Sequence, residues 1–138
     1  SLRNLPGKYK YEMRNQHGVN FLGRMERKEL ATSVAASEGL VFIPWFEGFG
    51  VPIVEAFASG VPVIASNRTS MPEVCGGAAA ALLEPDDHHG IAKCMKKLED
   101  DAAFKNNAIK RGLARASCFS WDESAGRMWD AIEQVMEA

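Results

Sequence analysis

Cysteine is scarce. Cys75, Cys94 and Cys118 are the only three in 138 residues, an odd number with no CxxC pair. This excludes a disulfide framework and the usual zinc spacing, and reads as buried or idle thiols in a reducing compartment. Excess charge of one sign is also missing: 16 Lys plus Arg face 18 Asp plus Glu, a net charge of -2. A dedicated nucleic-acid binder carries a basic excess, so nucleic acid is not an expected partner. No uncharged apolar run approaches the about 20 residues that span a bilayer. Ser1-Leu2-Arg3-Asn4 does not read as a signal peptide. Internal repeats, low-complexity tracts and flexible linkers are lacking too.

What is present suits a packed domain. Hydrophobic residues make up 46% and charged residues 25%, close to globular averages, and the length fits a single domain over residues 1–138. Short apolar runs alternate with helical periodicity. The runs are Val19-Asn20-Phe21-Leu22, Leu40-Val41-Phe42-Ile43, Val61-Pro62-Val63-Ile64-Ala65 and Ala79-Ala80-Ala81-Leu82-Leu83. Each has strand length and little polar alternation, as expected of strands covered on both faces. Arg27 to Ser37 and Pro52 to Ser59 are long enough to be crossover helices. Pro52 can open its helix without losing a needed N–H, and Gly60 can close it in a left-handed conformation. Such strand–helix–strand units predict an α/β fold with a parallel sheet and right-handed crossovers.

The last third is helical in pattern. Ile91, Cys94, Met95 and Leu98 share one face, as do Ala125, Met128, Trp129, Ile132 and Met136. Ser120-Trp121-Asp122-Glu123 has capping-box spacing and predicts a terminal helix within 119–138; Ser70-Met71-Pro72-Glu73 has the same spacing. Residues 1–18 carry only scattered apolar side chains. Either Tyr9 to Asn15 forms an outer helix or the chain starts inside a larger architecture, and the second reading is favoured.

Chemistry concentrates in Pro44-Trp45-Phe46-Glu47-Gly48-Phe49-Gly50-Val51-Pro52-Ile53-Val54-Glu55. This segment joins a buried strand to a helix at the carboxyl end of the predicted sheet, where open α/β folds bind ligands. Gly48 and Gly50 allow close backbone approach and positive φ. The helix opening near Val51 or Pro52 offers unsatisfied N–H groups and partial positive charge to an anion such as a diphosphate. No Gly-Lys-Ser/Thr follows, so this is not a Walker loop, nor is it GxGxxG. Glu47 and Glu55 could accept hydrogen bonds from two polyols flanking a phosphate, the layout of a sugar nucleotide. The plainer alternative makes Glu55 a solvated helix residue and Glu47 a loop charge. Trp45, Phe46 and Phe49 could stack on a sugar or base, though aromatics beside a strand end are more often core.

Glu47 to Glu55, continuing through Ala56-Phe57-Ala58-Ser59-Gly60-Val61-Pro62-Val63-Ile64, resembles the E-x7-E signature of retaining glycosyltransferases of family 4, in the GT-B superfamily. Val19 to Arg24, Met71-Pro72-Glu73-Val74 with Gly76-Gly77, Leu83 to Asp87 and Phe119-Ser120-Trp121 resemble further family segments, in order, over about residues 19 to 136. The resemblance implies the C-terminal, donor-binding half of a GT-B fold: a Rossmann-like parallel sheet flanked by helices, lacking its first strand or strands.

It also implies a reaction, the transfer of a hexosyl unit from a UDP-, GDP- or ADP-sugar to an acceptor hydroxyl with retention. Glu47 would be the catalytic-site residue at the donor sugar. Gly48, Phe49, Gly50 and Val51 would offer backbone groups to sugar and phosphates, and Glu55 would hold the ribose. The backbone at Arg24 and Met25 would face the base, with Ser66, Asn67 and Glu73 behind; Glu73 reads more readily as a helix cap. No cofactor or metal is implied, and Asp86-Asp87 and Asp100-Asp101 read as helix caps. The family's basic pair for the diphosphate has no match here, and Arg24 and Lys8 are not substitutes. The N-terminal domain that binds an acceptor glycan or lipid-linked glycan is not matched either, so the fragment by itself is not expected to be active. The resemblance places the intact enzyme in the cytoplasm or peripherally at the inner face of the membrane.

Other classes fit less well. Glycosidase carboxyl groups flank the scissile bond about 5 to 9.5 Å apart, whereas Glu47 and Glu55 would lie along one helix start. No GxSxG elbow accompanies His17, His88 and His89, and the last two read as a solvated helix start. The rival from another class is a non-catalytic module that binds a sugar nucleotide or a protein.

Overall fold

The computed structural model describes residues 18–20 and 22–137. The chain divides into residues 1–32 and 33–138. The expectation for Tyr9 to Asn15, and Lys8, lie outside the described residues. In the first unit, residues 19, 20 and 22 form no strand, contrary to the expected run, with Val19 and Leu22 exposed. An apolar run becomes a strand only when a neighbour completes its ladder and covers its side chains, and these side chains are not covered. Helix α1 (Arg27–Ala35) starts in this unit, where Glu29 Oε2 accepts from the Glu26 N–H at 3.3 Å.

The second unit contains three parallel strands in chain order: β1 (Leu40–Phe42), β2 (Val63–Ser66) and β3 (Ala81–Leu83). Leu40 pairs with Val63 and Phe42 with Ala65; Ile64 pairs with Ala81 and Ser66 with Leu83. Helix α2 (Val51–Ala58) crosses from β1 to β2, and the short α3 (Met71–Cys75) from β2 to β3. Helices α4 (His88–Asp100), α5 (Ala102–Ala116) and α6 (Trp121–Met136) follow. Asp87 and Asp101 cap α4 and α5 as expected, accepting from the Gly90 and Phe104 N–H at 2.8 and 2.9 Å.

Strand alternation fixes the layers. All four β2 residues are buried. Val63 and Ala65 join Ile53, Ala56 and Phe57 of α2 and Met71, Val74 and Cys75 of α3 in one apolar cluster, while Ile64 belongs to another with Cys94 and Leu98 of α4. The β2 ladder begins at Val63 because Pro62 has no N–H, although its carbonyl accepts from the Leu40 N–H at 2.9 Å. A groove of about 490 Å³, lined by Val41, Ile64, Met95 and Leu98, begins at Glu38 and Gly39 on the amino side of β1. The sequence motif leaves the carboxyl side. Among the described residues no helix is long and apolar enough to cross a membrane.

Burial decides the behaviour of the thiols. Cys75 and Cys94 are buried and Cys118 is exposed. Desolvation pushes the Cys75 thiol up to about 11 against the opposing pull of Arg115, and burial raises Cys94 as well. With a disulfide-exchange reagent at pH 8, one thiol (Cys118) should react rapidly in the native chain and the other two only on unfolding. Rapid native reaction of all three would contradict this packing. Because folding raises the Cys75 pKa, that thiol's contribution is fully present below the unfolded value of 9.0 and is lost as pH rises toward about 11.

Candidate functional site

Helix α2 begins where the sequence places it. Gly50 is its N-cap, in the left-handed region at φ +91 and ψ +47, with Pro52 in the first turn and no side-chain cap among the described residues. That conformation is open to glycine at no steric cost. Packing is close as well, since a Cβ here would lie 2.8 Å from Cε of buried Met71, which would have to shift. Gly48 differs: it has no positive φ, and a Cβ would meet nothing within 4 Å. The expectation of positive φ at both glycines therefore holds for Gly50 alone.

Glu55 is exposed and stands four residues after exposed Val51, one turn down the same helix face. The opposite face carries buried Ile53, Ala56 and Phe57. Glu47 is half-buried in the loop entering the helix, and its Oε1 accepts from the Gly48 N–H at 2.9 Å. Both acids thus belong to one helix start, with the uncapped N-terminus between them in sequence. The aromatics are not core: Trp45 is 62% and Phe46 82% exposed, and Phe49 sets its ring edge-on to Phe119 at 5.8 Å. Arg24, exposed, and Met25, half-buried, precede α1 in the first unit and are described there alone.

The loop after β2 holds partners that the sequence did not reveal. Thr69 Oγ1 accepts from the Glu47 N–H at 3.4 Å, and Ser70 Oγ donates to the Glu47 carbonyl at 3.0 Å. The Arg68 guanidinium lies 5.9 Å from the centre of the Trp45 ring and 2.5 Å from Glu84 Oε2, joining the loops that follow all three strands. Parallel order itself was the available signal, because it sets the carboxyl ends of neighbouring strands side by side. Ser66 is fully buried, and its Oγ has no hydrogen-bond partner among the described residues; Asn67 is exposed. The short helix expected from the Ser70–Glu73 spacing does open at Met71, but without the capping box, since Ser70 has αR geometry and its hydroxyl serves Glu47 instead. Among the described residues no three His, Cys, Asp or Glu are grouped to hold a metal ion.

Known proteins resemble this chain in sequence and in fold. Residues 7–115 match the profile of the family described as Glycosyl transferases group 1. An O-antigen chain mannosyltransferase B of Escherichia coli is 41% identical over 105 residues, which cover 75% of this chain and 27% of that protein. An MMP alpha-(1->4)-mannosyltransferase of Mycolicibacterium hassiacum is 35% identical over 112 residues, 79% of this chain and 27% of that protein. Sucrose-phosphate synthase from Thermosynechococcus elongatus superposes with a TM-score of 0.74 at 27% identity, over 86% of this chain and 30% of that one. The α/β arrangement is accordingly that of a GT-B fold fragment. The chain spans between 14% and 27% of the length of curated relatives that it matches.

Proposed function

Because the chain belongs to the glycosyl transferases group 1 family, we propose that it supplies the donor-binding half of a retaining hexosyltransferase of the family 4 type. The observation that carries this reading is the uncapped start of α2, opened by left-handed Gly50 and bracketed in sequence by Glu47 and Glu55. A nucleoside diphosphate sugar has matching chemistry: a charged diphosphate with hydroxyl-rich rings on either side. In the proposal the diphosphate meets the N–H groups and positive end of α2. Glu55 accepts from the ribose hydroxyls and Glu47 from those of the hexose, each as a charge-assisted bond.

The reaction then needs little else from this half. The bond from the anomeric carbon to the phosphate oxygen breaks, and the acceptor oxygen bonds the same face of that carbon. The acceptor proton passes to the departing phosphate. Negative charge grows on the diphosphate as it leaves, and a fixed helix dipole is worth most to a charge that develops. No metal, cofactor or nucleic acid enters the scheme. The two mannosyltransferase relatives favour a mannosyl donor. The acceptor, a glycan or lipid-linked glycan, would be met through a further domain, in the cytoplasm or peripherally at the inner face of the membrane.

Titrating the 138-residue chain with UDP, GDP and ADP tests the assignment. One of the three should bind, and Glu55→Ala should weaken it by about 1–3 kcal/mol, the cost of a polar ligand group losing its partner. That is roughly 5- to 150-fold in Kd. Equal affinities for wild type and Glu55→Ala would remove Glu55 from the ribose.

A further inference from the structure

Thr69 is, among the described residues, the one non-glycine with positive φ, at +49. A β-branched residue is a poor choice there, and such strain persists only when its surroundings enforce it. Its neighbour breaks a rule too, for Ser70 occupies the N-cap of α3 without capping it. Both departures serve one partner. Thr69 Oγ1 accepts a hydrogen bond from the Glu47 N–H and Ser70 Oγ donates one to the Glu47 carbonyl. Consecutive side chains therefore hold both backbone polar groups of a residue more than twenty positions away.

We propose that Thr69 and Ser70 are positioning residues that aim the Glu47 carboxylate and so set recognition of the sugar half of the donor. The inference rests on the reading that Glu47 meets that sugar. Fixing the N–H and carbonyl of one residue fixes its Cα–Cβ direction, and the Gly48 N–H then holds Oε1 at 2.9 Å. Glu47 stands in a loop with Gly48 and Gly50, the residues that restrain backbone least. Freed of the two hydroxyls, the carboxylate would sample many directions and lose the preorganisation that makes a hydrogen-bond acceptor selective. Binding of the nucleotide half, at α2 and Glu55, does not pass through these hydroxyls.

The test compares bare nucleotides with their hexose derivatives: UDP with UDP-glucose, GDP with GDP-mannose and ADP with ADP-glucose. In the wild-type chain the sugar should improve affinity over the bare diphosphate, and Glu47→Ala should abolish that gain. Thr69→Gly and Ser70→Ala should each cut it at least threefold while leaving the bare diphosphate within twofold of wild type. Thr69→Ser, which keeps Oγ, should restore it. Thr69→Gly relieves the φ of +49, so its Tm should not fall; a merely structural role would lower Tm and leave the sugar gain intact. The proposal is overturned if Glu47→Ala loses the gain and both loop variants keep it. Absence of nucleotide binding, or a gain indifferent to Glu47→Ala, would instead remove the donor reading itself and this inference with it.

Discussion

Gly50→Val should lower the unfolding free energy by about 2–5 kcal/mol, read as a shift of the urea midpoint at constant m. Two independent costs combine. A left-handed backbone charges an L-residue about 1–2 kcal/mol, and Gly50 sits at φ +91. The new Cβ would also lie 2.8 Å from Met71 Cε and 3.2 Å from Sδ. Met71 is fully buried in the apolar cluster that also holds Ile53, Phe57 and Val63, so its shift must be taken up by packed neighbours. Overpacking of that kind costs about 1–3 kcal/mol, a large part of the about 5–15 kcal/mol that holds a domain together. Gly48→Ala is the matched control: its Cβ meets nothing and its φ is ordinary. Its stability should stay within about 0.5 kcal/mol of wild type, while donor affinity falls if the ligand lies against that backbone. An unchanged midpoint in Gly50→Val would mean that the start of α2 is built differently.

That contrast shows which parts of the molecule the sequence displays and which it hides. The runs at 40–43, 61–65 and 79–83 became β1, β2 and β3 with edges moved by two residues or fewer, because continuous apolar runs bounded by Gly and Pro have few other uses. Of helix α5 the sequence displays only the Asp101 cap and not the face by which it packs. Its residues buried against α2 are Ala108 and Gly112, and a Cβ on Gly112 would stand 2.7 Å from Phe57 Cδ1. A helix that packs through its smallest residues carries no apolar stripe to read. The acids and glycines of the motif were visible because their spacing is local. The hydroxyls of Thr69 and Ser70 were not, because their partner is brought to them only by strand order. Thr69 further disguises its role by occupying a conformation that its side chain disfavours.

Arg115→Ala should cost about 2–4 kcal/mol and also weaken donor binding, although Arg115 belongs to α5 and not to the motif. Its Nε donates to the Val74 carbonyl at 2.9 Å and its Nη2 to the Glu73 carbonyl at 2.7 Å. These are late carbonyls of α3, which lack partners within the helix. The guanidinium also lies 4.7 Å from the centre of the Phe119 ring, and Phe119 meets Phe49 of the motif loop edge-on. Hydrogen bonds from a charged donor contribute about 1.5–3 kcal/mol and the ring contact about 0.5–1 kcal/mol. Arg115→Lys should recover only part, since an ammonium cannot fork to two carbonyls and lie flat on a ring. Gly76 supplies an internal check: it ends α3 at φ +53, and its Cβ would fall 2.7 Å from Arg115 Nε. Gly76→Ala thus displaces the guanidinium in the wild type but meets no guanidinium in Arg115→Ala. The double variant should therefore cost less than the sum of the singles by about 1 kcal/mol, within the range for residues in contact. Strictly additive costs, or a donor affinity untouched by Arg115→Ala, would show that α5 does not brace the loop through Phe119.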